Sequence, residues 1–414
     1  MNQTLQKTHF GMSSLVPYLG GVGAWFANMG LQFVMIPTLV VIVMGGSAGD
    51  LAFAQIAMSL PQLFLLIYAG GIADRTNGRT LTVLVHLLAT IPTSVLAWVV
   101  WSGAMAYWHI IIYAVCVGIL SAFAAPTRDA MLTRVSGNNV QNTVMMSLFT
   151  QFTAQLIGFS LAGLAAPVAG PWALPTMQVA VILVGLLCAL LLPSIPPFVH
   201  KQEAATAPDG TDDLTPDPMH DRGWRTGYYA ISRSQKLYPV MLATVAVGVL
   251  FIGIFMVSLP LIVREIFNGG QLEISILNFC FWGGTITSTL VLLVRRPIHR
   301  RGLAMTGALV VGSISLLAMT YAPNFTFFCA LASCWGLAAG VNMVTSRTIV
   351  QIEAPEQSRA RVMAFYNLGF LGAAPLGAFF VGQTAELIGP LPTMGLFASF
   401  MLMFTLWLVL ATPV

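Results

Sequence analysis

The stretch GGIADRTNGRT, residues 70–80, concentrates charge in a chain that is otherwise almost uncharged. The candidate functional residues of this stretch are Gly70, Asp74, Arg75 and Arg79. No Asp, Glu, Lys or Arg occurs between residues 51 and 73, and the next charged residue after the stretch is Arg128. A carboxylate beside guanidinium groups can form ion pairs, but the stretch has no Ser, Cys or His for nucleophilic or acid–base catalysis. Its charges suit the control of conformation better than bond-making chemistry.

A second group of polar residues is uncharged and spaced four residues apart. The pairs are Asn28 and Gln32, Gln151 and Gln155, and Asn278 and Trp282. Residues i and i+4 share one face of a helix, and an amide facing lipid costs a few kcal/mol, so these faces are expected to point inward. If they line a cavity, it is polar, uncharged and walled by aromatic rings, which suits a bulky amphipathic solute. The alternative is hydrogen bonding across helix interfaces. Asn342 and Asn367 are weaker candidates.

The composition predicts the elements that must position these residues. Of 414 residues, 57% are hydrophobic and only 8% are charged, whereas a soluble globular protein carries about 25% charged residues. Apolar windows of about 20 residues, the length that spans a bilayer, lie near 18–44, 50–72, 81–101, 106–125, 142–168, 173–193, 238–263, 273–294, 303–321, 325–345, 362–385 and 391–412. The sequence predicts an all-α polytopic membrane protein with twelve transmembrane helices.

The basic residues divide the predicted loops into two classes. Every Lys and Arg except Arg264 lies before the first window or in a loop that follows an even-numbered window. Because cytoplasmic loops carry the excess of Lys and Arg, both termini are predicted to lie in the cytoplasm. The clean alternation also supports the count of twelve, since one missed span would scramble it.

The residue types that can bind metals or cofactors form no recognisable pattern in this sequence. The five cysteines fall inside predicted spans, and neither their odd number nor their spacing matches a metal site. No phosphate-binding loop, catalytic triad or ATPase motif occurs. We therefore expect no enzyme activity, no metal, no cofactor and no nucleic acid partner, and transport by such a chain would be secondary.

A long polar stretch divides the chain into two halves. We expect an N-terminal six-helix bundle at 1–199, a cytoplasmic linker at 200–236 and a C-terminal six-helix bundle at 237–414. The linker is too polar to fold alone, but Trp224, Tyr228 and Ile231 can share one face of a short helix on the inner membrane surface. The alternative for this end of the linker is a disordered tether.

The two halves show weak internal similarity. An offset of 219 residues aligns Arg128 with Arg347, Gly158 with Gly377 and Gly163 with Gly382. This pattern agrees with two parallel six-helix repeats related by an axis along the membrane normal.

The charged stretch resembles a family signature. Gly70, Asp74, Arg75 and Arg79 match in part the pattern G-x-x-x-D-R/K-x-G-x-R/K-R/K, found between spans 2 and 3 of the major facilitator superfamily. Asn77 stands in place of a glycine and Thr80 in place of a second cation. Segments 59–75, 124–135 and 351–382 look like the enterobactin-exporter-like and macrolide-efflux-like branch of that family, and the resemblance covers the whole chain.

The resemblance implies a latch that holds the cytoplasmic side closed. Asp74 would contact the positive N-terminal end of span 11 and Arg128 at the end of span 4, since a helix N-terminus favours an anion. Gly70 and Gly71 would let span 2 end tightly against a neighbour. The alternative is that Arg75 and Arg79 only anchor the topology.

Small residues in spans 5 and 11 resemble the Gly/Pro motif of antiporter-type members of the family. They are Gly158, Gly163, Pro375 and Gly377. Small residues permit close helix packing, and a proline loosens a helix. Ordinary helix packing explains them equally well.

The resemblance implies a bacterial inner-membrane exporter that works by alternating access. We expect its substrate to be a siderophore or another amphipathic small molecule and its coupling to be proton antiport, in a monomer within the lipid bilayer. The acids near the membrane are Asp50, Asp74, Glu265, Glu273 and Glu386, and none is well placed to carry the proton. The alternatives are a multidrug or macrolide efflux pump, an importer, and a membrane sensor that transports nothing.

Overall fold

The helices account for nearly all of the described chain. The structure, a computed structural model, describes residues 12–135, 140–193, 224–294, 298, 300–355 and 358–411, and no strand occurs among them. Its helices are α1 (Met12–Pro37, continued by a π-helical turn at Thr38–Val43), α2 (Ala48–Arg75), α3 (Gly78–Trp101), α4 (Tyr107–Val135), α5 (Val140–Ala169), α6 (Ala173–Leu190), α7 (Trp224–Ser232), α8 (Leu237–Glu265), α9 (Gln271–Val294), α10 (Arg301–Met319), α11 (Phe325–Glu353), α12 (Arg359–Ile388) and α13 (Pro390–Ala411).

Length and composition make most of these helices competent to cross a membrane. Within the described residues, eleven helices qualify, namely all except α2 and the short α7. The prediction of an all-α polytopic membrane protein is confirmed. The count of twelve stays a prediction that depends on α2, which has 28 residues and one proline, Pro61.

The helices assemble as two bundles that meet along two pairs of helices. In the first bundle α1 packs on α5 and α6, while α4 packs on α2 and α3; in the second α11 packs on α9 and α10, while α8 packs on α12. The bundles meet where α2 packs on α12 and α5 packs on α9. We call the end with the loop at 44–47 the upper end and the end with the loop at 76–77 the lower end. The charge distribution predicts that the lower end faces the cytoplasm.

Local capping residues fix where several helices begin. Ser47 caps α2: its hydroxyl accepts from the Asp50 N–H at 3.2 Å, and the Asp50 carboxylate accepts from the Ser47 N–H at 2.8 Å. Asn77 caps α3 by accepting from the Arg79 N–H at 3.0 Å. Asn is a good N-cap residue, so Asn77, which departs from the family signature, begins α3 directly after the charged stretch.

Glycines aligned by the internal repeat make corresponding contacts in the two bundles. A Cβ on Gly158 of α5 would collide with the Ala27 carbonyl of α1, and a Cβ on Gly377 of α12 would lie 2.6 Å from the Gly248 carbonyl oxygen of α8. In each bundle, therefore, the fifth membrane helix packs on the first through a glycine, which lets the backbones approach closely.

The second aligned pair of glycines lies at the junction between the bundles. A Cβ on Gly163 of α5 would lie 2.8 Å from Ser275 Oγ of α9, and one on Gly382 of α12 would lie 2.5 Å from Ala52 Cβ of α2. Pro375 lies inside α12, and the helix continues through it. Gly158 and Gly377 therefore lie at backbone contacts, whereas Gly163 meets side-chain atoms of the facing helix.

Two helices contain wide turns in which the hydrogen bond runs to the fifth residue. These π-helical segments are Thr38–Val43 in α1, and Val247–Ile252 and Ile254–Ser258 in α8. Segments of this kind are frequent at functional sites. Since α1 and α8 are the first membrane helices of their bundles, the wide turns flank the junction from both sides.

The short helix α7 packs against the lower end of α12. A Cβ on Gly227 would lie 3.0 Å from Arg361 Cβ, and Ile231 is buried, whereas Tyr228 is exposed. The side chain of Trp224 and residues 200–223 lie outside the described part. The domain boundaries and the position of α7 on the membrane surface stay predictions.

Candidate functional site

Aromatic side chains from both bundles meet at the centre of the molecule. Phe33 of α1 lies 5.9 Å from Phe255 of α8 and 6.2 Å from Trp282 of α9, measured between ring centroids. Phe159 of α5 lies 6.4 Å from Phe33. Such separations are typical of aromatic pairs in contact. We call Phe33, Phe159, Phe255 and Trp282 the junction cluster.

A further layer of rings supports the junction cluster within the second bundle. Phe281 lies 4.7 Å from Phe255 and 4.6 Å from Trp335, and Phe251 lies 5.7 Å from Trp335. Phe251 and Phe255 belong to the two π-helical segments of α8. The wide turns of α8 thus carry two rings of this wall.

A small cavity of about 10 Å³ lies beside the junction cluster. It is lined by Phe33, Pro37, Gln55, Phe255, Met256, Leu259, Pro260, Ile274, Leu277 and Asn278. None of these residues is ionisable. A cavity of this size is comparable with a single water, so in this conformation the helices close tightly around the junction.

Several buried polar atoms around the junction have no hydrogen-bond partner among the described residues. They are Gln55 Oε1, Ser258 Oγ, Trp282 Nε1 and Trp335 Nε1. The side-chain amide of Asn278 donates to the Ile274 carbonyl, one turn earlier in the same helix, at 2.9 Å. An unpaired buried polar atom costs about 1–3 kcal/mol. Unpaired donors and an unpaired acceptor beside aromatic faces can bind a solute that is both apolar and rich in hydrogen-bonding groups.

The amide pair of α1 lies within the first bundle. Asn28 and Gln32 are both buried, and the Gln32 amide donates to Met58 Sδ in α2 at 2.8 Å. Asn28 Oδ1 has no partner among the described residues, and its backbone carbonyl accepts from Gln178 of α6 at 3.3 Å. Gln32 therefore satisfies an interhelical contact, as the alternative interpretation expects.

The amide pair of α5 also has its described polar contacts within the first bundle. The Gln151 amide donates to Ser147 Oγ, one turn earlier in the same helix, at 3.2 Å. Gln155 is buried, and its backbone lies against Gly30 of α1. Of the three predicted pairs, only Asn278 and Trp282 lie at the junction between the bundles.

The charged stretch lies at the lower end of α2 and the start of α3. The Arg79 guanidinium donates to the Leu190 carbonyl at the last turn of α6, at 2.8 Å. A Cβ on Gly70 or Gly71 would meet no described atom within 4 Å, so the expected close contact at these glycines is not present among the described residues in this conformation. The side chains of Asp74 and Arg75 lie outside the described part, and the latch stays a prediction.

Arg128, the expected partner of Asp74, has its described contacts within the first bundle. Its guanidinium lies 5.0 Å above the Phe26 ring, and its Nε atom lies 3.6 Å from Asp129 Oδ1. The Tyr18 hydroxyl donates to the Arg128 carbonyl at 3.2 Å. Arg128 Nε is buried and has no hydrogen-bond partner among the described residues.

Polar contacts join the two bundles at the upper end. Glu386 Oε1 accepts from the Ser47 hydroxyl at 2.7 Å and from the Gly49 N–H at 2.9 Å. Arg264 donates to the Gly46 carbonyl at 3.4 Å. On the second pair of helices, the Gln271 amide of α9 donates to the Ala162 carbonyl of α5 at 2.6 Å. These contacts hold the upper end closed.

Sequence reasoning did not identify three of the residues that matter most here. Gln55 has no amide partner four residues away, although a lone amide in an uncharged apolar window is itself a signal. Phe33 and Phe255 are two of 25 phenylalanines, and no spacing distinguishes them from packing residues.

Solved structures that superpose on this arrangement of helices include transporters. The nucleoside transporter NupG superposes with a TM-score of 0.74 at 11% identity, covering 96% of this chain and 99% of its own. A bacterial homologue of the human lysosomal transporter Spinster, in an inward-facing and unoccupied conformation, superposes with a TM-score of 0.63 at 15% identity, covering 98% and 96%. At such identities the likeness concerns the fold.

Sequence relatives extend over most of the chain. The staphyloferrin A transporter of Staphylococcus aureus is 24% identical over 92% of this chain and 90% of its own. The multidrug efflux pump Tap of Mycolicibacterium fortuitum is 24% identical (88% and 87%), and macrolide efflux protein A of Streptococcus pyogenes is 23% identical (83% and 82%).

The relatives, a staphyloferrin A transporter and drug-efflux proteins, confirm the expected likeness to the siderophore- and macrolide-efflux-like branch, and none of them is an enzyme. The family model of the Major Facilitator Superfamily matches residues 18–378. With the helical fold and the two-bundle packing, this match places the chain in a family of multi-pass membrane transporters. The chain belongs to the Major Facilitator Superfamily.

Proposed function

We propose that this protein exports a bulky amphipathic small molecule, of siderophore or macrolide type, by alternating access with proton antiport. The observation that carries the proposal is the chemistry of the junction cluster. Aromatic faces from both bundles lie beside unpartnered polar atoms, and no charged side chain lines the cavity there. An aromatic wall with few polar groups is typical of sites for organic ligands.

The class of substrate follows from this chemistry. Gln55 Oε1 can accept a hydrogen bond, and Trp282 Nε1 and Trp335 Nε1 can donate one. A small inorganic ion would need charged groups or many oxygen ligands, whereas a large organic molecule with hydroxyl or amide groups would satisfy these atoms and cover the rings. A staphyloferrin A transporter, a multidrug efflux pump and a macrolide efflux protein among the relatives support the same class of substrate, and the two efflux proteins support the outward direction.

Alternating access would use the closed upper end as one of its two states. With the lower end in the cytoplasm, as the charges predict, this conformation would be the one that is closed toward the outside. Glu386 at the N-terminus of α2 stabilises it, and the predicted contact of Asp74 with the N-terminus of α12 would stabilise the opposite, outward-facing state. Substrate would then enter from the cytoplasm of a bacterial inner membrane.

The export proposal is tested by mass spectrometry of culture supernatants and cell extracts. A deletion strain is compared with the same strain carrying the wild-type gene or the Gln55→Leu variant, with and without iron. A metabolite that falls outside and accumulates inside on deletion supports export, and dependence on iron identifies a siderophore. A metabolite that instead falls inside the deletion strain would show import and contradict the proposal.

A second candidate function, efflux of foreign compounds, is favoured by the two drug-efflux relatives. It predicts that deletion lowers the inhibitory concentration of macrolides and other apolar drugs without changing any secreted metabolite. Measuring resistance in the same strains separates the two candidates.

A further inference from the structure

A second cavity, of about 40 Å³, lies inside the first bundle and away from the junction cluster. Helices α1, α3, α4 and α6 enclose it toward the lower end. Its polar lining consists of Tyr18, Trp25, Thr82, His86, Thr127 and Arg128. The volume exceeds the 10–15 Å³ that one water occupies, so the cavity can hold water between these groups.

His86 places an unpaired proton acceptor in this cavity. It lies eight residues along α3 from Gly78, about 12 Å from the end of the helix, and only 4% of its surface is exposed. His86 Nδ1 lies 2.9 Å from the Thr82 carbonyl oxygen, so Nδ1 carries the hydrogen and donates it. Nε2 is buried and makes no well-aligned hydrogen bond among the described residues, although the Gly21 backbone of α1 also lies against the ring.

The packing holds the imidazole ring in this orientation. Trp25 of α1 meets it edge to face, with ring centroids 5.7 Å apart. A Cβ on Gly185 of α6 would lie 2.6 Å from His86 Nε2, so the glycine leaves room for the ring. The ring is fixed on three sides by α1, α3 and α6 and can change its protonation state without changing its place.

The titratable and charged groups that face His86 across the cavity come from two helices. Tyr18 belongs to α1 and Arg128 to α4. Gly185 of α6, beside the ring, and Leu192, just past the end of α6, do not titrate. Arg128 Nε is also buried without a hydrogen-bond partner in the described part. Asp129 Oδ1, on a mostly exposed side chain, lies 3.6 Å from Arg128 Nε. A guanidinium that lines the same small cavity would disfavour a second positive charge on the imidazole.

We propose that His86 Nε2 binds the proton that drives transport and that Arg128 expels it in the present conformation. The proposal rests on the proposed function of proton antiport and assigns its proton to a residue. None of the membrane-proximal acids lines this cavity, whereas His86 lies within a span. An ionisable group inside a membrane segment indicates a functional site.

The sign of the coupling agrees with export. In the present conformation Arg128 lies at the cavity, so the proton leaves His86 toward the cytoplasm while substrate binds. When the lower end closes, the predicted latch pairs Arg128 with Asp74, the field of its charge at the cavity weakens, and Nε2 takes up a proton. Each cycle then carries one proton inward for the substrate carried outward.

Nuclear magnetic resonance on the full-length protein tests proton binding without any substrate. The protein is labelled with ¹⁵N-histidine in lipid nanodiscs, and the His86→Gln variant identifies the His86 signals. We expect the His86 signals to change with pH within the range from 4.5 to 9, and the change to occur at a higher pH in the Arg128→Gln variant. Signals of a neutral His86 that do not change between pH 4.5 and 9 in both proteins would overturn the proposal.

Transport in proteoliposomes tests whether the bound proton drives the cycle. The His86→Gln and His86→Asn variants are expected to lose transport driven by a pH gradient at least tenfold and to retain substrate exchange, which needs no net proton movement. His109→Gln is the matched control, because His109 lies at the upper end of α4 and bonds locally to Ala106. It should retain both activities.

The two proposals fail in different ways. If both His86 variants keep wild-type dependence on the pH gradient, the assignment of the proton is overturned while export stands. If the wild-type protein moves no siderophore or macrolide in either assay, the proposed function fails, and the nuclear magnetic resonance titration still decides whether His86 binds a proton.

Discussion

Glu386 and Ser47, 339 positions apart in the sequence, join the two bundles through a hydrogen bond of 2.7 Å at the upper end. The same carboxylate accepts from the Gly49 N–H in the first turn of α2. An anion is stabilised at a helix N-terminus. The predicted lower latch has the same design on the same two helices with their roles exchanged, because there Asp74 of α2 would face the first turn of α12.

Replacing Glu386 with Gln should shift the protein toward conformations that are open at the upper end. The substitution removes the negative charge from the α2 N-terminus but keeps the size of the side chain. We expect the population of the closed upper end to fall about two- to fivefold relative to the open one. Distances between spin labels at Ser102 and Tyr321, which are at the upper end of different bundles, measure this shift.

Glu273→Gln is the control for the Glu386 variant. Glu273 also lies at the upper end and accepts from a backbone N–H, that of Gly270, at 2.7 Å, but both residues belong to the second bundle. The control should leave the distance between the labels unchanged. An equal shift in both variants would mean that upper-end charge in general, and not the contact between bundles, sets the equilibrium.

Replacing Asp74 with Asn should abolish transport while the protein stays in the membrane. The substitution removes the carboxylate of the predicted lower latch, so the outward-facing state loses its stabilising contact. Loss of transport with unchanged membrane abundance, measured by vesicle uptake and immunoblotting, supports the latch. Glu353→Gln breaks the 2.8 Å pair with Lys236 inside the second bundle and should leave transport near wild type; normal transport by Asp74→Asn would refute the latch.

Replacing Trp282 with Phe should weaken substrate binding without slowing the cycle. The aromatic face is retained and the Nε1–H donor is lost, which corresponds to about a two- to tenfold rise in KM with kcat almost unchanged. Trp101→Phe, at an exposed position of α3, is the matched control. The KM and kcat of the two variants are measured from transport rates over a range of substrate concentrations. An unchanged KM for Trp282→Phe would show that this donor does not bind the substrate.

Replacing Gly158 with Ala should destabilise the first bundle. The added methyl group would collide with the Ala27 carbonyl of α1, and overpacking of this kind costs about 1–3 kcal/mol. Gly283→Ala is the control, because a Cβ there meets no atom within 4 Å. We expect a lower thermal midpoint for the first variant and an equal or higher one for the second, measured by thermal aggregation in detergent.

Much of the fold could be predicted from the sequence. The window at 81–101 became Gly78–Trp101, and the window at 173–193 became Ala173–Leu190. A membrane helix satisfies its own backbone hydrogen bonds, so its position depends on local apolar length. Family resemblance then supplied the arrangement of the helices, which local sequence does not determine.

The candidate site was less predictable because its contacts are distant in sequence. Glu386 was recognised as an acid near the upper end, but its partners, Ser47 and the Gly49 N–H, include a backbone group that no motif reveals. Gln32 and Gln151 share the i,i+4 pattern with Asn278, yet they bond within the first bundle. Spacing shows which residues share a helix face, and only the packing decides what that face meets.

The wide turns of α8 give this helix a mechanical property of its own. Each π-helical segment holds about one residue more than an α-helical turn would, and one residue corresponds to about 100° of rotation around the axis. A change from π to α hydrogen bonding in Val247–Ile252 would therefore rotate Phe255 and the rest of α8 around the helix axis. This rotation would need no hinge or loop. The aromatic rings of α8 could in this way turn away from α1 while the backbone of α8 stays hydrogen-bonded.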